Sequence, residues 1–144
     1  MILMNWIRND DGGFTAFQVQ VSREKLARFI HGRFVAHMQR IYCHEQTALA
    51  IYKGLAANAG DPVRRDVFLR LAEAEARQLA RRAEMLQRLD ARIPCDCDTL
   101  RGRVWRRIVV WLGPRCALTW IKHIKQNDVR RQMELARLLK TLNK

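Results

Sequence analysis

Ile41-Tyr42-Cys43-His44-Glu45-Gln46-Thr47-Ala48-Leu49-Ala50-Ile51-Tyr52 is the stretch whose reading decides the fold. Ile41, Ala48, Ile51 and Tyr52 recur at the spacing of one helix face, and Glu45 falls on that same face. Reading outward, Leu26, Phe29, Ile30, Phe34 and Met38 carry the stripe back, and Leu55 carries it on. Between Ser22 and Ala57 there is no proline, and the glycines Gly32 and Gly54 stand far apart. The pattern predicts a long helix over 22–57.

Asn58-Ala59-Gly60-Asp61-Pro62 then reads as a stop followed by a start. Gly60 suits a helix C-terminus, Asp61 an N-cap and Pro62 a first helical position. A second helix is expected over 62–91, with Val63, Val67, Phe68, Leu71, Ala72, Leu79, Ala83, Leu86 and Leu89 on one side. A connection this short implies antiparallel packing. Pro94 to Asp98 reads as a loop, and Thr99 as the cap of a short helix over 100–112. Gly113-Pro114 breaks that helix, and a last one is expected over 115–142. The first 21 residues hold Asp10-Asp11-Gly12-Gly13, a loop signal, and are expected to form a flexible arm with no strand. The expectation is an all-α chain, one helical domain over 22–144: two long antiparallel helices plus a short and a long C-terminal helix.

Carboxylates on these stripes carry the chemistry. Glu45 sits four after Ile41 and three before Ala48. Glu75 sits three after Ala72 and four before Leu79, with Gln78 three further on the same face. A charge on an apolar seam is costly unless it is paired or holds a metal. Helical bundles build di-metal centres from such residues, a Glu from one helix and Glu-x-x-His from the next, each supplied twice.

With Cys43 to Tyr52 and Phe68-Leu69-Arg70-Leu71-Ala72-Glu73-Ala74-Glu75-Ala76-Arg77-Gln78, the chain resembles the first half of a rubrerythrin-type ferritin-like domain. Residues 100–131 resemble the linker and third helix of ferritin-like domains beside vacuolar-iron-transporter-type membrane domains. More distantly, His44-Glu45 and Ile51-Tyr52 resemble the membrane-associated diiron hydroxylases of ubiquinone synthesis. The resemblance implies an incomplete ferritin-like bundle. It implies an iron site at Glu45, Glu75 and Gln78, with Tyr52, Glu73 and Lys125 around it, and oxidase- or peroxidase-type chemistry if the site is active. The chain departs from the pattern where Gln78 replaces the His ligand and where Lys125 falls at the third-helix Glu. A fourth long helix is also lacking. A residual iron site would then be assembled between two chains of a homodimer. The alternative is structural: Glu45 and Glu75 pair with Arg or Lys, Lys125 among them. His37, His44 and His123 fit surface or partly buried histidines.

Charge marks a second candidate. The chain carries 27 Lys and Arg against 14 Asp and Glu, a net +13, and residues 101–144 hold 12 of those cations and two of the anions. Arg101, Arg103, Arg106, Arg107, Lys122, Arg130 and Arg131 therefore point to an anionic partner, an acidic protein or an anionic membrane, or form a solvated face. Trp105, Trp111 and Trp120 between them suit either a core or a membrane interface. No named nucleic-acid motif accompanies them. The four cysteines, irregularly spaced, are expected to be reduced thiols of a cytoplasmic protein, and Cys95-Asp96-Cys97 lacks the second pair that a zinc loop needs. The apolar start, residues 1–8, is expected to be too short for a signal-peptide core followed by a cleavage site, and no 18-residue apolar run exists. No nucleophile–base pair or phosphate loop is present.

Overall fold

The computed structural model describes residues 2–8, 14–20, 22–95, 97 and 100–142, with side chains from Ser22 onward except 139, 141 and 142. The Asp10–Gly13 loop, the Thr99 cap, and Asp96 and Asp98 of the loop after the second helix lie outside these residues.

Among the described residues four helices follow the spacing of the apolar stripes: α1 (Arg23–Ala57), α2 (Pro62–Arg88), α3 (Leu100–Trp111) and α4 (Pro114–Leu142). Ahead of them, β1 (Ile2–Arg8) and β2 (Phe14–Gln20) pair antiparallel, Ile2 opposite Gln20 and Arg8 opposite Phe14. The sequence reading expects an irregular arm there. The difference has a physical source: Trp6, Ile7, Phe14, Thr15, Phe17 and Val19 are residue types that suit strands. Ile2 to Ile7 is an apolar run with little alternation, so periodicity alone does not announce a strand.

The helix ends are set locally. Ser22 caps α1 by accepting from the Lys25 amide at 3.3 Å, and Asp61 caps α2 by accepting from the Val63 amide at 3.1 Å. Each such cap stabilises a helix by about 1 kcal/mol. At the end of α1 it is Asn58, not Gly60, that closes the helix: its side-chain amide donates to the Gly54 carbonyl at 3.0 Å. The end of α2 falls at Arg88, earlier than expected, because Asp90 adopts a left-handed conformation with φ 50°. The Ala91 amide then reaches the Leu86 carbonyl at 2.9 Å and the Asp90 amide reaches Gln87 at 3.0 Å, a Schellman closure. Gly113, at φ 97°, makes the turn from α3 to α4.

α1 is the hub on which α2, α3 and α4 all pack, and α3 also touches α4. Among the described residues no α2–α4 pair of Cα atoms comes within 8 Å, so those helices flank α1 with a gap between them. Two apolar clusters lie along α1. One joins Ala48, Ile51, Tyr52, Leu55 and Ala56 to Phe68, Ala72, Val109, Ala117 and Ile121. The other joins Met38 and Ile41 to Leu86. Among the described residues Met38, Ile51 and Leu86 are the largest fully buried side chains, and each contributes roughly 2–3 kcal/mol.

The chain after α2 is fastened back onto α1. The Gln39 amide donates to the Arg92 carbonyl at 2.8 Å, and Cys43 forms a disulfide with Cys97, their Cα atoms 5.0 Å apart. The expectation of four reduced thiols is corrected. The α2 turn returns the loop across α1 and brings together two cysteines 54 positions apart, a proximity that spacing along the chain does not reveal. Cys95 and Cys116 are free. The argument from reduced thiols to a cytoplasmic location no longer holds.

Candidate functional site

Between the two apolar clusters lies a layer of charge. Glu45 of α1, buried on the seam, accepts from Arg82 Nη2 of α2 at 3.0 Å. The other guanidinium nitrogen, Nη1, approaches Met38 Sδ at 3.5 Å. Glu75 of α2, equally buried, is bonded by Lys125 Nζ of α4, which spans the gap between those helices. Farther along α4, Asp128 Oδ2 meets His44 Nδ1 of α1 at 2.8 Å. These pairs tie α1 to α2, α2 to α4 and α4 to α1. A small cavity of about 140 Å³ opens among Glu45, Gln78, Arg82, Lys125, His44 and Asp128. Within it, Glu45 Oε2 and Arg82 Nε are buried without a hydrogen-bond partner, as is Glu75 Oε2 beside it.

Glu45, Glu75, Gln78 and Lys125 thus gather at one level, with Gln78 exposed. Tyr52 lies in the apolar cluster two turns from Glu45; burial, and then the Glu75 charge, push its hydroxyl above the ordinary value. Glu73 faces solvent. Sequence reasoning missed Arg82 and Asp128. The signal was present: Arg82 follows Glu75 by seven and Asp128 follows Lys125 by three, each on the face already singled out.

Within one chain the residues do not fit a di-metal centre. A guanidinium and an ammonium occupy the positions facing the two carboxylates, where a metal cation would sit, and Gln78 supplies no imidazole. Among the described residues no group of three or more His, Cys, Asp or Glu is placed to hold a metal ion. His37, also buried, has no partner at Nε2. Burial holds its imidazole below the ordinary value, with Asp128 pulling the other way.

The second candidate is α3. Val109 is buried and Val110 packs on α1 beside Gly54, where a Cβ would lie 3.1 Å from Val110 Cγ2. The glycine lets α3 lie close to α1. Anchored this way, α3 turns its other side outward. Leu100 and Trp111 are 78% and 83% exposed, and Val104, Trp105, Ile108 and Leu112 are exposed between and after them. Leu100, Val104, Ile108 and Trp111 recur every three or four residues, a continuous apolar stripe. Trp120, by contrast, packs at the edge of the core.

The predicted cationic set is spread over more than one cleft. Arg103, Arg106 and Arg107 line a cleft together with Arg64 of α2. Arg131 lines a different one with Arg33 and Arg40 of α1. Arg101, Lys122 and Arg130 are exposed and line neither. Among the described residues no helix is long and apolar enough to cross a membrane. No family model, curated protein or solved structure matches the chain.

Proposed function

We propose that this chain is a helical docking module that binds an anionic membrane surface through α3. The observation that carries the reading is the exposed stripe Leu100–Val104–Ile108–Trp111 on a helix that also bears Arg101, Arg103, Arg106 and Arg107. Solvent exposure of such a stripe is costly on a folded surface unless something covers it. An amphipathic helix with tryptophan on its apolar side and arginine beside it suits the interfacial region of a bilayer. Each arginine near an anionic surface contributes about 1 kcal/mol, and burial of the stripe adds to that.

The paired charges inside the bundle give the two seam carboxylates a structural task, holding three helices in register. The test is co-sedimentation with phosphatidylcholine vesicles, with and without phosphatidylserine, at low and high salt. Binding to the anionic vesicles that weakens with salt, and is lost in Ile108→Asp with helicity intact, is expected. Equal behaviour of wild type and variant, or no binding to any vesicle, overturns it. Binding only to an acidic protein would move the partner from lipid to protein.

A further inference from the structure

The cleft on the flank of α3 holds about 920 Å³, within the size range of small-ligand sites. Its floor is shaped by small residues, Gly54 and Ala59 among them, where α1 gives way to α2. Arginines converge on it from two elements: Arg64 from the first turn of α2, and Arg103, Arg106 and Arg107 from α3. Among its described lining residues the single carboxylate is Asp61, and that group is engaged: Oδ1 caps α2, and Oδ2 lies 3.8 Å from Arg64 Nε. That contact is long and solvent-exposed, the Arg64 side chain being 74% accessible, so it does little to hold the guanidinium away from a ligand. Arg103 and Arg106 also make contacts within the chain, so the inference leans on Arg64 and Arg107, both exposed.

Guanidinium groups from two helices around one concavity match a phosphate better than an isolated carboxylate, because each can offer a two-pronged donor to two oxygens. A phosphomonoester carries close to two negative charges at neutral pH. Trp111 stands at the cleft's rim and also on the apolar stripe. A phosphate in the cleft would therefore lie next to the face that the docking reading assigns to the bilayer.

We infer that this cleft binds a phosphomonoester dianion, presented by a lipid head group such as phosphatidate. The lipid source rests on the docking reading; the phosphate site does not, and a soluble phosphate ester carries the same chemistry. The experiment uses the full chain and its Arg64→Gln variant. Arg64 lies on α2, away from the apolar stripe, so the change leaves that stripe unaltered. Vesicles of phosphatidylcholine with phosphatidate are compared with vesicles in which phosphatidylserine supplies the same charge, and sn-glycerol 3-phosphate is titrated into the protein by calorimetry.

The wild type is expected to favour phosphatidate by about tenfold, the loss expected for one charge-assisted two-pronged contact. Arg64→Gln should erase that preference while leaving phosphatidylserine binding in place. If both lipids bind alike and the variant changes nothing, the cleft assignment is overturned and the docking reading stands. If no vesicle binds but glycerol 3-phosphate binds wild type and not Arg64→Gln, the phosphate site stands and the lipid source falls. Absence of binding in every arm overturns both.

Discussion

Arg82→Met tests whether the interior charges are held as pairs. At 3.0 Å from Glu45 Oε1, the guanidinium attracts the carboxylate by about 5 kcal/mol at an effective dielectric near 20. Desolvation of both groups offsets much of this. Removing one partner is different, because the survivor stays buried without compensation, at a cost of about 3–5 kcal/mol. Glu45 is 5% exposed and its Oε2 already lacks a partner, while the Arg82 side chain is 21% exposed, so the lower figure, about 3 kcal/mol, applies. For a chain of 144 residues, unfolding entropy is about 0.3 kcal/mol per degree, so the midpoint should fall by about 10 °C. Glu45→Leu with Arg82→Met should recover most of the loss, since an apolar pair of similar volume replaces a buried ion pair at little cost. The assay is thermal unfolding by circular dichroism across the double-mutant cycle. Additive losses, with the double variant worse than either single one, would refute the reasoning.

Three further expectations concern other residues. Denatured protein without reductant should show two reactive thiols, Cys95 and Cys116; opening the Cys43–Cys97 link, which closes a 54-residue separation, should cost about 4 kcal/mol, and four reactive thiols would contradict the disulfide. His37 is held below its ordinary value of 6.5, so the unfolded state takes up a proton first as pH falls. Stability is then complete above that value and declines as pH drops from about 6.5 toward the folded value, by at most about 1.4 kcal/mol per pH unit, and His37→Gln should flatten the decline; an unchanged slope would refute it. Gly32 sits in mid-helix with open space around it, so Gly32→Ala should raise the unfolding midpoint by about 3 °C, through about 1 kcal/mol of helix propensity. Gly54→Ala should gain less, because its methyl meets Val110.

Helix positions were legible because the stripes are long and their punctuation is strong: Ser22, Asp61-Pro62 and Gly113-Pro114 mark ends that backbone geometry keeps. The end of α2 was not, since an Asp in a left-handed position replaces the usual glycine. Glu45 and Glu75 announced themselves as charges on apolar seams, but spacing within one helix cannot name the partner on another. Lys125 was reachable through its place in the resembled pattern; Arg82 and Asp128 required the packing. The disulfide was hidden for the same reason. Arg103, Arg106 and Arg107 of α3 line one cleft and Arg131 of α4 another, because the chain turns at Gly113, and charge composition holds no information about that turn.

The most direct test of the docking reading is tryptophan quenching by brominated lipid. In Trp6→Phe with Trp120→Phe, only Trp105 and Trp111 of α3 remain as reporters. On addition of anionic vesicles their emission should shift to the blue and be quenched by bromines placed just below the head groups. High salt should reverse both effects. An unshifted, unquenched spectrum at saturating anionic lipid would show that α3 does not enter the interface, and the account would fail.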